Sequence, residues 1–380
     1  MSRWLLGTWN GQLIYHDETD ELKKQVTQLT KGQDIAYMEL DYEKMLLFVL
    51  LNNKDSVTGN GGSILTYQIN GDGQGITFLN EMGSFGAYPI EIKLEDSYAV
   101  VVNHGSTKDF GLKTVRDNKG KIQVEKIYEE SSIVLFGRKK DGTLGEALDV
   151  IKFQGSGEIP FFQEAPSPHS LYYLHSKKEF YVPERGTDRV SVFQINEQDR
   201  HLKKIGIMKS KKGYGPRNIT FHPSGKWAYL MHEIESYVFV YERAEKPDGR
   251  VRFKKIQEIK TVTEEVAGAF TMPQHSFAAL HPVDLAASDK GQYLYVLTRS
   301  SNTLTTFHIN QKTGRIKIAD CSSIGGINPR QISVVGEEIY IITLDDGSMV
   351  KWEHREGNMC PERKEVIIEG IPKLAVGRKM

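Results

Sequence analysis

The 380-residue chain is predicted to be an all-β protein, a seven-bladed β-propeller of four-stranded antiparallel blades, on three observations. Its apolar segments are short, rich in Val, Ile, Tyr and Phe, and alternate with polar residues before ending in Gly, Asn, Asp or Lys, the period-2 mark of half-buried strands. One such unit recurs along the chain, as repeat architectures require. The two chain ends read as complementary fragments of one further unit.

The elements follow in order. RWLLGTWNGQLIYHDETDELKKQVTQLT, from Arg3, supplies second, third and fourth strands with no opening strand. QDIAYMELDYEKMLLFVLLNN, from Gln33, is a full copy without proline. The next copies start at Tyr88 (YPIEIKLEDSYAVVVNHG), Ser167 (SPHSLYYLHSKKEFYVPERGTDRVSVFQI), Gly215 (GPRNITFHPSGKWAYLMHEIESYVFVYER), His281 (HPVDLAASDKGQYLYVLTRSSNTLTTFHI) and Asn328 (NPRQISVVGEEIYIITLDDGSMVKWEH). In these, proline opens the first strand, where no ladder donor is needed. IPKLAVGRK at the C-terminus is an opening strand with nothing after it. Pairing it with the N-terminal strands closes the ring and removes exposed sheet edges. The expectation is one domain over residues 1–380; two sandwiches would need a linker around residues 140–165. The inserts at 105–130 and 245–280 read as loops.

Composition narrows the function. Lys plus Arg and Asp plus Glu number 49 each, so no net field draws nucleic acid or an anionic membrane, and neither is expected as a partner. Any anion recognition must be local. The start of the chain lacks a basic and apolar leader, and the apolar run MLLFVLL at 45–51 is too short to span a bilayer, so a soluble, cytoplasmic protein is expected. Cys321 and Cys360 read as free thiols of a reducing compartment rather than a disulfide framework. No cofactor and no metal are expected: Asp345–Asp346 lacks the oxygen spacing of a calcium loop.

In a four-stranded meander, the loops entering the first strand and leaving the second lie on one face, around one mouth of the central channel. Ile90, His169, Arg217, Val283, Arg330 and Lys373 stand at the first place. Asn52, Asn53, Asn103, His104, Glu184, Arg185, His232, Glu233, Arg299, Asp345 and Asp346 stand at the second. Each has a plain reading, as a turn histidine, a Pro-Arg tie between blades or a surface charge, and Glu235 reads as solvated. The shared rim is what lifts the set.

The stretches PHS at 168–170 with GTDRVSVF at 186–193, GPRNITFHPSGKWAYLMHEIES at 215–236, SDKGQYLYVLTRSSNTLTTFHIN at 288–310, NPRQISV and LGTWNGQLIYH together resemble the lactonase-type seven-bladed β-propellers. That family includes the bacterial propeller 6-phosphogluconolactonases and fungal carboxy-muconate cyclases. The resemblance implies a catalytic group of His169, Glu233, Arg217 and Arg299, with Arg330, His104, Glu184, Arg185, His232 and Lys373 as further substrate-binding candidates from the rim. The implied substrate is a small anionic sugar lactone, first of all 6-phosphogluconolactone of the pentose phosphate pathway. Glu233 or His169 would be the general base, and Arg217 and Arg299 would hold the oxyanion or a phosphate. The chain departs from the family pattern beside these four: Glu184–Arg185–Gly186 replaces Asp-Leu-Gly, Asn218 a His, and His232 and Thr298 each an Asn. A lactonase or cycloisomerase for another anionic compound uses the same group; a non-catalytic binding scaffold is the other alternative, although WD-type signatures are absent.

Overall fold

The computed structural model describes residues 3–19, 25–71, 75–106, 110–270, 280–354 and 360–380. Seven four-stranded antiparallel sheets follow one another around an axis. Six are continuous in sequence, with opening strands at Ile35–Asp41, Pro89–Leu94, Tyr172–Leu174, Pro216–Phe221, Pro282–Ala287 and Pro329–Val335, here blades two to seven. Blade one is shared: Leu374–Lys379 pairs antiparallel with Arg3–Thr8, whose other partner is Gln12–Asp17. The ring therefore closes as the sequence predicts.

The second strands are apolar on both faces because each is covered by a sheet on either side. Leu46–Leu51, Trp227–His232 and Glu179–Glu184 are buried along their whole lengths. One apolar layer fills each gap between successive blades. The layer at the closure joins Trp4, Leu6 and Ile14 to Tyr340, Ile342 and Met349, with Leu374 between them.

The opening strands share a three-residue device, of which blade two lacks the left-handed residue. The residue before the strand is left-handed: Tyr88, Ser167, Gly215, His281, Asn328 and Lys373 have φ between 45° and 63°. A β-bulge follows, with Ala36, Ile90, Arg217, Val283, Arg330 and Ala375 as the extra residue; bulges re-aim side chains. The next residue ties its blade to the following one. The Tyr37 hydroxyl donates to Glu91 (3.0 Å), Glu91 accepts from the Leu171 amide (2.7 Å), and the Ser170 hydroxyl donates to the Arg217 carbonyl (3.0 Å). Asn218 donates to Asp284 (3.1 Å), Asp284 accepts from the Ile332 amide (3.0 Å), and Gln331 accepts from the Gly377 amide (2.8 Å). A polar belt thus runs around the axis, built from positions that share one place in the repeat.

The inserts correct the sequence expectation. Residues 110–128 are a two-stranded hairpin, Phe110–Arg116 with Ile122–Tyr128, turning at Asp117–Gly120. Its strands alternate like the others, but stand outside the blade repeat, and so read as a loop. Within 245–280, Val251–Lys260 is the fourth strand of blade five and Glu264–Ala269 a short helix capped by Thr263; 271–279 lie outside the described residues. The 140–165 stretch contains Leu144–Lys152, the fourth strand of blade three, in place of a linker. Among the described residues no helix is long and apolar enough to cross a membrane.

Leu374 is fully buried at the closure. Leu374→Ala is expected to cost about 3–4 kcal/mol in denaturant unfolding, the range for a large cavity in a tight core. Leu112→Ala, on the exposed hairpin, is expected to stay within about 0.5 kcal/mol of the parent.

Candidate active site

Successive side chains on a strand face opposite ways, and this sorts the rim. The last residue of each second strand, Thr8, Asn103, Glu184, His232, Thr298 and Thr343 among them, is completely buried in its blade. The residues that follow are Trp9, His104, Arg185, Glu233 and Arg299, and these reach the mouth. The bulge residues Arg217 and Arg330, with His169 beside the Pro168–Glu184 bridge, come from the opposite side.

Glu233, 1% exposed, is the hub. Its Oε1 lies 3.0 Å from Arg217 Nη1 and 2.7 Å from His281 Nε2; its Oε2 lies 3.5 Å from Arg185 Nη1 and 3.9 Å from His169 Nε2. Burial alone would push this carboxyl up. Arg217, then Arg185, with the hydrogen bond from His281, outweigh burial and hold it well below the usual range, so it stays ionised. Arg217 is further fixed by donating from Nε to the Val283 carbonyl (3.0 Å).

His169 is a neutral ring. Burial, then the charges of Arg185 and Arg217, press it well below its ordinary value. Its Nδ1 lies 3.0 Å from the Ser167 carbonyl, which can only accept, so Nδ1 carries the proton and the Nε2 lone pair faces Glu233 and Arg185. His104 packs edge-on to it, ring centroids 4.4 Å apart, and burial holds His104 at about 4.

On the other side of Glu233 stand the guanidiniums of Arg299 and Arg330. Arg299 has Nε and Nη2 buried without a hydrogen-bond partner, and Arg330 lies over the Trp9 ring at 4.7 Å. Burial, then the charge of Arg217, lowers Arg299 to about 10; burial, then Arg217 and Arg299, lowers Arg330 to about 9. Arg217 and Arg185 lie against the ionised Glu233, while Arg299 and Arg330 feel Asp345 and Asp284 as well as Glu233.

Of the sequence candidates, His169, Arg217, Glu233, Arg299, Arg330, His104 and Arg185 converge on this mouth. Glu184, His232 and Lys373 do not. Glu184 turns into blade four, accepting from Arg189 Nε (2.9 Å), Thr187 (2.9 Å) and Ser191 (2.5 Å). His232 turns into blade five, against Ser210 Oγ (2.5 Å) and the Phe239 ring. Lys373 takes the left-handed position before its strand and is exposed. Sequence reasoning missed His281 and Trp9. His281 occupies the slot of Ser167 and Gly215, one residue before the proline where the rim was taken to begin; Trp9 follows the last residue of the second strand of the split blade, the slot of Arg185 and Glu233.

The fold and this mouth define a propeller with an acid, histidines and a surplus of arginines gathered at one end of its channel. Residues 5–358 match the family Lactonase, 7-bladed beta-propeller, and the chain belongs to it. An uncharacterized protein of Lactococcus lactis subsp. cremoris is 26% identical over 360 residues, 93% of this chain and 92% of that one. The 6-phosphogluconolactonase of Bacillus subtilis is 24% identical over 347 residues, 90% of this chain and 86% of the relative. In fold the chain is similar to a periplasmic gluconolactonase of Pseudomonas aeruginosa (TM-score 0.76, 19% identity, 100% of this chain and 98% of that one). It is equally close to a Lactobacillus plantarum protein (TM-score 0.75, 19% identity, both chains fully covered).

Replacing Glu233 leaves buried cations unpaired. Glu233→Gln is expected to lower stability at neutral pH by about 3–5 kcal/mol. A carboxyl depressed by folding contributes stability above its unfolded value near 4.3 and loses it as pH falls through the folded value. The gap between parent and variant in thermal unfolding is therefore expected to be constant above about pH 5 and to close in stronger acid.

Proposed function

We propose that the chain is a lactone hydrolase whose substrate is an anionic sugar lactone, with 6-phosphogluconolactone the best match. The observation that carries this is a neutral histidine, its Nε2 approached by the Arg185 guanidinium at 3.5 Å, beside an ionised glutamate and near Arg299, whose buried Nε and Nη2 lack a hydrogen-bond partner. The B. subtilis relative's name agrees with it.

In this reading His169 is the general base. Glu233 is held on Oε1 by Arg217 and His281, whereas the nearest donor to the His169 Nε2 lone pair, Arg185 Nη1, stands 3.5 Å away. A water gives its proton to His169 Nε2 while its oxygen bonds to the lactone carbonyl carbon, and the carbonyl π pair moves onto oxygen. The tetrahedral intermediate collapses by breaking the bond from that carbon to the ring oxygen. The ring oxygen takes the proton back from His169 and leaves as a hydroxyl, still part of the sugar acid. Glu233, anchored by Arg217 and His281, stabilises the transient imidazolium across the 3.9 Å gap. Arg299 and Arg330, the latter backed by Trp9, receive the phosphate, for which a guanidinium fork is suited.

Purified protein given 6-phosphogluconolactone is expected to release acid well above the spontaneous rate, followed at constant pH. Arg299→Met is expected to raise KM for the phosphorylated lactone about tenfold or more and to change it little for unphosphorylated gluconolactone. No acceleration on either lactone would reject the reading. Acid release from other anionic lactones alone would move it to another substrate.

A further inference from the structure

Arg185 is the guanidinium that this scheme leaves without a role. It follows the second strand of blade four in a short turn, and its backbone is pinned: its carbonyl accepts from Gln163 Nε2 (2.8 Å) and the next amide, Gly186, donates to the Pro166 carbonyl (2.8 Å). Only glycine fits at 186, since a Cβ there would stand 1.7 Å from the Ala165 oxygen. The side chain is 8% exposed, and its Nε is buried with no hydrogen-bond partner. Nη1 stands 3.5 Å from both Glu233 Oε2 and His169 Nε2, at the outer limit of a hydrogen bond, so its donor capacity is not used up.

Its neighbours are otherwise engaged. Arg217 is bound to Glu233 Oε1 and the Val283 carbonyl; Arg299 and Arg330 stand on blades six and seven, beyond Glu233. Glu233 is neutralised on Oε1 by Arg217 and His281, so it does not cancel the Arg185 charge alone. A water on His169 Nε2 attacks a carbon whose oxygen must come to rest beside that ring, where Arg185 is the nearest cation.

We propose that Arg185 is a catalytic residue, its Nη1 donating to the carbonyl oxygen as that oxygen becomes an oxyanion. This rests on the lactonase reading. A buried, pre-positioned donor of this kind acts on charge that develops only in the transition state, so its removal lowers kcat and leaves KM nearly unchanged. An arginine that binds a charged group of the ground-state substrate does the reverse.

The test compares the parent with Arg185→Leu and Arg185→Lys. For the leucine variant kcat is expected to fall about a hundredfold with KM within about twofold, and the lysine variant is expected to recover part of the loss. Should the leucine variant fail to fold, the lysine variant, which keeps the charge but loses the fork, is expected to fall by about tenfold in kcat alone. Unchanged kcat, or a rise in KM at constant kcat, would overturn the proposal. A second readout does not need turnover: a six-membered cyclic phosphonate, tetrahedral and anionic where the lactone is planar and neutral, is titrated calorimetrically. The leucine variant is expected to bind it at least about tenfold more weakly than the parent. Equal affinity, or no binding to the parent, overturns the oxyanion role. A parent that opens no lactone sinks the lactonase reading, while the phosphonate titration still decides the role of Arg185.

Discussion

The chemistry at this mouth depends on one geometric constraint, the alternation of side chains at the end of each blade's second strand. The last strand residue is driven into the blade and the next is delivered to the channel. Because the rule repeats in register, Trp9, His104, Arg185, Glu233 and Arg299 meet although nearly three hundred residues separate the first from the last. Glu184 and His232 are excluded by the same rule, although each adjoins a site residue. The β-bulge at the head of each opening strand does the complementary work, turning Arg217 and Arg330 inward while the following residue ties blade to blade. Chemistry and cohesion thus sit at adjacent positions of one repeat.

The electrostatics follow from that placement. Charged groups gathered at a buried mouth are costly unless each finds a partner. Glu233 satisfies Arg217 directly and Arg185 at longer range, and leaves Arg299 and Arg330 to the solvent or to a ligand. The depressed values of these two arginines come from burial first and then from the charge of Arg217. The neutral state of His169 has the same origin, since neighbouring cations and burial both oppose its protonation. One charge distribution therefore keeps the His169 ring neutral and Glu233 ionised side by side.

The architecture was legible in the chain because a repeat is visible wherever the same turn chemistry returns. Proline after a left-handed residue marks five opening strands, and the unmatched ends announce the closure. The mouth was legible only as far as topology goes. Topology names the rim positions but not which of two adjacent residues faces the channel, and that is why Glu184 and His232 stood beside Arg185 and Glu233 as equals. His281 was invisible for a different reason: a residue before proline reads as turn, and only the left-handed backbone swings its ring to Glu233. The hairpin at 110–128 carried an ordinary strand signal, Asp117–Asn118–Lys119–Gly120 included, but it interrupts the repeat, and the repeat was the stronger guide.

The claim that a cationic funnel grips one end of the substrate while His169 attacks at the other is tested most directly by a crystal structure of the protein with 6-phosphogluconate. The account expects the phosphate between Arg299 and Arg330 and the newly formed carboxylate beside His169 and Arg185. A phosphate seated on Arg185, or a ligand bound away from this mouth, would contradict it.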